Sequence, residues 1–518
     1  MKKDLNIGNN GLAGFFINGA TLTAVALAVR CTSVLFSAYV TRAAGEEGVG
    51  LFTLIMNVYA FAATFCSAGI SLTVTRLVAQ DMARGGARCP AILRSATLYV
   101  TLIGGAATFL MFSGAPLLAR FAIGSPATSS AVRYLSLTLL PIAFGALFSG
   151  YFVAVRRVTR NALISVVSQA ARVIMTFAVL NMINSADAVA CARALCAAIL
   201  LTEGLTFFFS AFLYALDRKK HPALTLSPMT EPRESAWREV CATALPLCIS
   251  ACIRSALVTA EHVMIPWGLI RAGESRAGAL TLYGLLHGMA LPIILFPIAP
   301  LTSFSGLLVP EFAGSLAAGD NRRMERMCRR ATEATLVYSV GVAIFVLLFS
   351  EEIGYILYDS YSAGKYIAIL APVIPIMYLD HLTDAMLKGV GEQVYSMWVN
   401  ITDAAISVLL VLILIPVMGI SGYAAVILGM EGFNFVLSAL RLRKRVRVRA
   451  DLVTSFLRPL LAASVAAGLT RQLFSMNGEL TTPLWLVCKG VFAAVCYIAL
   501  LLALRPLFFF RRRMPGNR

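Results

Sequence analysis

Apolar runs of about 20 residues recur from one end of this chain to the other, each long enough to cross a hydrocarbon core roughly 30 Å thick. A backbone in lipid must satisfy its own hydrogen bonds, so each run reads as a helix. The 518 residues are 59% apolar and 14% charged, against roughly 25% charged in an ordinary soluble protein. That balance excludes soluble enzymes, disordered tails, collagen-like chains and nucleic-acid modules. The expected fold is an all-α polytopic membrane protein.

Hydropathy divides the chain into about fourteen spans, near 12–41, 51–79, 92–115, 130–155, 161–183, 187–216, 239–267, 283–309, 332–354, 366–388, 396–416, 420–440, 452–473 and 484–509. Lys2 and Lys3 followed by an apolar run with Ala26-Leu27-Ala28 imitate a signal peptide. The run is too long for one and contains Arg30, so an uncleaved first helix is expected. Fourteen is even, so both termini face the same side.

Basic residues gather in alternate loops: Arg84 and Arg88; Arg156, Arg157 and Arg160; Arg218, Lys219 and Lys220; five arginines from Arg322 to Arg330; six basic residues from Arg441 to Arg449; and Arg511 to Arg513. The opposite loops hold little beyond Arg42, Arg120, Arg271, Arg276 and Lys365. The positive-inside rule then places both termini in the cytoplasm. The net charge of +18 is accounted for by topology and anionic lipid headgroups, without nucleic acid. No loop exceeds about 25 residues, which leaves no room for an extramembrane catalytic domain. None of the 11 cysteines forms a CxxC pair. Cys248 and Cys252 share a helical face, a spacing open to a metal but better matched to small packing residues. No cofactor is expected.

The longest basic-side connection, Asp217 to Arg238, carries Pro222, Pro228 and Pro232. It divides 1–216, a lobe of helices 1–6, from 239–440, a lobe of helices 7–12; residues 441–518 add helices 13–14 and a basic tail. The lobes resemble each other. Helix 6 reads Glu203-Gly204-Leu205-Thr206-Phe207-Phe208-Phe209-Ser210-Ala211 and helix 12 reads Glu431-Gly432-Phe433-Asn434-Phe435-Val436-Leu437-Ser438-Ala439, 228 residues apart. Arg30 in helix 1 and Arg254 in helix 7 are 224 apart. Tyr134 with Pro141 matches Tyr366 with Pro372 and Pro375. An even number of helices per repeat makes the repeats parallel, and two six-helix lobes around a central cavity are a transporter's architecture.

An ionisable side chain within a span costs about 2.5–3.5 kcal/mol on the insertion scale and so faces a cavity or a partner. Here these are Arg30, Arg172, Glu203, Arg254, Glu261, His287, Asp380, Asp384, Asp403 and Glu431, while Arg76 and Lys388 lie near span ends and can snorkel. Arg254 and Glu261 share one helix face. Asp380, Asp384 and Lys388 step by four, with Asp384 and Lys388 placed to pair. Such charges serve either as buried ties between helices or as transport machinery. The Gly, Ser and Ala beside Glu203 and Glu431 favour close helix packing there. Arg30 and Arg254, at matching positions, suit the two phosphates of a diphosphate. With Arg172 and His287 they are the substrate-binding candidates; Glu203, Glu261, Asp380, Asp384 and Glu431 are the candidates for gating or ion coupling. Pro141, Pro292, Pro297, Pro300, Pro372 and Pro375 each remove a helix hydrogen bond, permitting bends that act as hinges in a transporter or only shape a static bundle.

Leu282-Tyr283-Gly284, Gly288-Met289-Ala290-Leu291-Pro292 and Leu308-Val309-Pro310 resemble the stage V sporulation protein B family. So do the run Ala371-Pro372-Val373-Ile374-Pro375-Ile376-Met377-Tyr378-Leu379-Asp380 with Asp384, Leu387-Lys388-Gly389, Gly391 and Gln393, and, earlier, Gly45-Glu46-Glu47-Gly48-Val49-Gly50-Leu51 with Ala68-Gly69-Ile70. That family lies in the multidrug/oligosaccharidyl-lipid/polysaccharide (MOP) flippase superfamily. The resemblance implies fourteen helices in two lobes and export of lipid-linked sugars across a bacterial cytoplasmic membrane, with no enzymatic step. Arg30 is similar to a helix 1 arginine of the lipid II flippases; their second, six residues on, is Phe36 here. His287 lies near the position of their helix 8 arginine. The leading expectation is a flippase for undecaprenyl-diphosphate-linked saccharides, acting as a monomer and coupled to a cation; the alternative is a cation-coupled multidrug exporter of the same fold. A membrane glycosyltransferase would present a long loop or an acidic catalytic pair at the membrane edge, and a scaffold would not need so many central charges.

Overall fold

A computed structural model describes residues 9–83, 88–155, 157–182, 187–220, 233–446, 452–475 and 483–503, and among them every regular element is a helix. Helix α1 (Asn9–Ser67) joins the first expected span to the second. The two meet at Gly45, with φ 70° and ψ 174°, a conformation that a Cβ would penalise. α2 (Ile70–Ala83) completes the second span after the Ala68-Gly69 turn; α3 (Cys89–Ser113), α4 (Ala115–Leu117), α5 (Ser129–Ser136), α6 (Leu139–Ala154), α7 (Val158–Asn181), α8 (Ala188–Lys220), α9 (Arg233–Arg271) and α10 (Arg276–Tyr283) follow. The remainder comprises α11 (Leu291–Leu295), α12 (Ala299–Ala317), α13 (Asn321–Leu348), α14 (Ser350–Tyr358), α15 (Tyr361–Leu370), α16 (Ile374–Gly389), α17 (Gln393–Met418), α18 (Ile420–Arg445), α19 (Leu452–Ser475) and α20 (Pro483–Ala503).

Twelve helices among the described residues are long and apolar enough to span a membrane. Of the fourteen expected, the first has most of its side chains outside the described residues, and the thirteenth is observed as α19. The linker residues 221–232 and the tail 504–518, with Arg511 to Arg513, also lie outside them.

Some in-span prolines mark breaks, whereas Pro246 and Pro266 lie inside α9 and Pro416 inside α17. The fourth span divides into α5 and α6 two residues before Pro141. The eighth passes from α10 through a wide π-turn at Gly284–Ala290, then α11 from Leu291 with Pro292 in its first turn, then a tight turn at Phe296–Ile298 around Pro297. The tenth breaks at Ala371–Val373 around Pro372. Each proline lacks the N–H that would have continued the helix. Side-chain caps start the segments outside these breaks: Ser275 accepts from Gly278 N at 3.0 Å, Asp320 from Arg323 N at 2.9 Å and Ser360 from Ala363 N at 3.1 Å.

By contacts the chain forms two compact units. One is Ala43–Gly284 with Val411–Pro416; the other is Met1–Arg42, Leu285–Leu410 and Val417–Arg518. This partition differs from the sequence repeat because α9, which opens the second repeat, packs with α2 and α3, and α10 packs with α9, in the first unit. The repeat is nevertheless legible in the packing of each unit taken alone. Gly150 of α6 closes on α2, where a Cβ would stand 3.1 Å from Val74 Cβ and 3.1 Å from Ser71 Cα. Gly389 of α16 closes on α12, where a Cβ would stand 2.7 Å from Phe312 Cβ and 3.1 Å from Val309 O. The glycines are 239 residues apart and their partners 238. Helices 2 and 4 therefore meet through a glycine at nearly the same positions as helices 8 and 10.

Candidate functional site

In the first unit Thr138, at the break between α5 and α6, donates its hydroxyl proton to Leu135 O at 2.7 Å and lies 2.5 Å from the hydroxyl of Tyr59 on α1. Arg172 of α7 donates to Glu203 of α8 at 3.5 Å, with Glu203 largely buried and Arg172 open. Both charges lie within electrostatic reach of Tyr59. The close packing expected beside Glu203 is not what forms: a Cβ on Gly204 would meet nothing within 4 Å, and the same is true of Gly432 beside Glu431. Small residues here leave the acids room.

A second polar cluster in this unit was not foreseen. Asn57 of α1 donates to the hydroxyl of Tyr283 at 2.9 Å, and that hydroxyl is 3.0 Å from Nδ1 of His262 on α9. Thr259 donates to Asn57 O at 3.1 Å, and Tyr283, fully buried, is within electrostatic reach of Glu261. The hydrogen bonds tie the second, seventh and eighth spans together at the start of the π-turn. Arg254, two turns from Glu261, is exposed. Arg30 lies on α1 with its side chain outside the described residues. Cys248 and Cys252 are 3.7 Å apart through their sulfurs, and no group of three or more His, Cys, Asp or Glu able to hold a metal occurs among the described residues.

The other unit gathers acids from three helices. Asp380 of α16 lies within electrostatic reach of Glu431 of α18, Asp403 of α17, Asp384 one turn on and the cation Lys388. Asp384 pairs with Lys388 at 2.6 Å, as its spacing predicts, and accepts from Ser396. Asn434 reaches Asn400 at 3.5 Å and Asn400 donates to Ser396 O at 2.8 Å. The two units invert each other here. Glu203 pairs with the cation Arg172 in one unit, whereas its repeat counterpart Glu431, 228 residues on, lies within electrostatic reach of the like charge of Asp403 in the other. His287, in the π-turn, lies with its ring 5.4 Å from that of Tyr423.

This unit also holds a groove of about 1250 Å³ walled mainly by α13, α14, α19 and α20, with Ile293 of α11 and Pro297 adjoining. Its lining is apolar, with Val342, Phe349, Ile353, Ala467 and Ile498, because Tyr338 and Tyr497 turn their hydroxyls into backbone carbonyls of Pro297 and Val337, both at 2.6 Å. Arg330, Glu333 and Arg458 lie toward the end where the basic loops are. Arg458 donates to Leu501 O, and Lys489 holds α20 to α14 through Glu352 at 2.8 Å. Sequence reading assigned Arg330 to topology alone; a groove of four helices has no local signature.

Residues 16–304 match the family described as Polysaccharide biosynthesis protein, and residues 286–417 match MatE. Stage V sporulation protein B of Bacillus subtilis (strain 168) is 23% identical over 425 residues, 80% of this chain and 81% of that protein. The lipid II flippase MurJ in its inward closed conformation superposes with a TM-score of 0.65 at 13% identity, covering 94% of this chain and 100% of that one. An inward-facing multidrug resistance MATE transporter of the MOP superfamily also reaches 0.65, at 17% identity, covering 86% and 98%. At these identities the structural likeness speaks of fold. The polysaccharide biosynthesis model spans more than half of the sequence, and the chain belongs to that family.

Proposed function

We propose that the protein flips an undecaprenyl-diphosphate-linked saccharide across a bacterial plasma membrane by alternating access, as a monomer with both termini in the cytoplasm. The groove of α13, α14, α19 and α20 carries this reading. Its volume of about 1250 Å³ exceeds the roughly 300–1,000 Å³ of a drug-sized site, its walls are hydrocarbon, and its polar residues sit toward one end. A long polyprenyl chain needs such a surface; a compact drug does not. Two of its four walls, α19 and α20, lie outside the twelve-helix repeat. MurJ, described as a lipid II flippase, and a multidrug resistance MATE transporter superpose equally well on this chain, so the fold serves either reading.

In this reading Arg254, Arg30 and Arg172 are phosphate ligands, guanidinium forks being suited to bidentate phosphate, and His287 contacts the saccharide. Asp380, Asp403 and Glu431, with like charges facing one another, take up a cation or proton; Asp384, Glu203 and Glu261 gate. That acid cluster equally favours a cation-coupled multidrug exporter, the second reading.

The test is photo-cross-linking in proteoliposomes with a diazirine-bearing polyprenyl-diphosphate saccharide and, separately, a cationic drug probe. Labelling of Val342 or Ile498 by the lipid, with loss of transport in the Arg254→Gln variant, is the expected result. Labelling by the drug alone transfers the assignment to the exporter.

A further inference from the structure

The segment from α3 into the turn before α5 recurs in the other unit at a constant offset of 235 residues. α3 ends at Ser113 and α13 at Leu348; α4 begins at Ala115 and α14 at Ser350. A left-handed residue then turns the chain, Gly124 with φ 73° in one copy and Asp359 with φ 55° in the other, and a serine follows each. The buried faces keep this register: Leu93, Ala96, Val100 and Met111 of α3 answer to Cys328, Ala331, Thr335 and Val346 of α13. Matched positions on the two helices therefore hold the same orientation to the core of their own unit.

On α13 a further face is covered by α20. A Cβ on Gly341 would stand 2.6 Å from Tyr497 Cε1 and one on Gly490 3.3 Å from Phe345 Cζ, while Tyr497 donates to Val337 O at 2.6 Å. At the same register α3 carries Leu102, Ala106 and Leu110 in place of Val337, Gly341 and Phe345. Ala106 is exposed, and so are Leu102 at 54%, Leu110 at 65% and Phe109 between them at 71%. Lipid covers any apolar surface, so exposure by itself selects no occupant. Two features do. Leu98, Leu102, Gly105, Phe109 and Phe112 recur at the alternating four-and-three spacing of a helix-packing seam. A Cβ on Gly105 would meet nothing within 4 Å, so a second helix can approach closely at the middle of that seam. Where the chain repeats this face, it lays a helix on it.

We infer that this face of α3 docks a membrane-spanning helix of a second, different protein. The pairs Gly341–Tyr497 and Phe345–Gly490 run in opposite senses along α13 and α20, so the occupant lies antiparallel to α3. It is apolar and carries a small residue followed seven positions on by an aromatic, as Gly490 and Tyr497 stand on α20. In a second copy of this chain that face of α20 is already spent on α13, which argues against self-association. Arg133, exposed, lies over the ring of Phe112 at 5.5 Å and gives that end of the seam a positive charge for an acidic residue of the partner. None of these residues is among those assigned to substrate or cation.

The test uses the full chain in nanodiscs and a synthetic spanning peptide of about 20 residues. The peptide is Leu/Ala-based, with Gly and Tyr seven apart, Asp in its first turn and a diazirine beside the Gly; a control peptide carries the same residues on opposite faces. The probe is expected to bind about tenfold more tightly than the control, with cross-links confined to residues 98–112. The Phe109→Ala/Leu110→Ala variant should weaken binding about fivefold or more; both side chains are exposed, so little packing is lost. Ala106→Trp, which keeps both side chains and blocks the seam, should weaken it equally. Equal binding of probe and control, cross-links elsewhere, or unchanged affinity in both variants overturns the inference and leaves a face that meets only lipid. A dimer of the chain without peptide, dissociated by the same variants, overturns it in favour of a second copy.

Discussion

Gly50 and Gly284 meet backbone to backbone: a Cβ on Gly284 would stand 2.8 Å from Gly50 N, and one on Gly50 3.1 Å from Gly284 N. The contact crosses the second and eighth spans just where α10 opens into the π-turn. Helices in lipid associate by close packing of small residues, and here neither side has space for a methyl group. Gly50→Ala and Gly284→Ala are each expected to destabilise the protein by about 1–3 kcal/mol, the range for overpacking. Gly204→Ala and Gly432→Ala, in open space, are expected to be neutral or slightly stabilising through helix propensity. Thermal melts in one detergent check this, and equal losses at all four positions contradict it.

The inverted pairs make a second expectation of opposite sign in each repeat. Arg172→Gln leaves Glu203 buried without its cation, so stability falls by about 1–3 kcal/mol. Asp403→Asn removes a like charge facing Glu431 and is expected to leave stability unchanged or raised, while abolishing the cation dependence of transport. Melting curves and transport across a sodium and pH series separate the effects. A destabilised Asp403→Asn variant that keeps its cation dependence runs against the coupling role.

Both expectations depend on features of unequal legibility in the sequence. Run lengths read out the helices, because hydrocarbon thickness sets a local rule, and the Glu203/Glu431 repeat was visible because both segments keep the same residues. Pairing was less legible. Asp384 and Lys388 lie on one helix and could be matched by spacing, whereas Arg172 and Glu203 lie on two helices whose azimuths no single span encodes. Gly204 and Gly432 were read as packing sites, yet the close contacts fall at Gly50, Gly284, Gly150 and Gly389; glycine marks permission to approach, and only the partner helix determines which one is used. The network of Asn57, Tyr283 and His262 has no local sequence signature, because it is composed across three spans.

Glu392, in the turn between α16 and α17, accepts from Arg441 at 2.9 and 3.0 Å and from Arg445 at 2.5 Å. These donors hold its carboxyl below the usual carboxylate range. A carboxyl with a lower pKa folded than unfolded binds protons more readily when unfolded. Its contribution is therefore complete above the unfolded value, about 4.3, and is lost as pH falls from there through the folded value. Melts of the wild type and Glu392→Gln between pH 7 and pH 3 should differ most at neutral pH and converge in acid. A gap independent of pH contradicts the clamp.

The groove offers the sharpest separation of flippase from exporter, because Ile498 combines exposure with a place in its wall: 56% exposed and on α20 beside Tyr497. A substitution there costs little packing, so loss of function is not confounded by loss of fold. Ile498→Glu places a carboxylate where a hydrocarbon tail would lie, whereas Ile498→Val preserves the apolar wall. If the groove holds the tail, the Glu variant transports lipid-linked saccharide at least tenfold more slowly, consistent with an unpaired charge costing several kcal/mol against hydrocarbon, and the Val variant is unaffected. Export of a cationic drug, which needs no tail site, is untouched by either. Equal transport of lipid-linked saccharide by the Glu and Val variants, both with wild-type melting temperatures, removes the groove from the mechanism and with it the main support for a flippase.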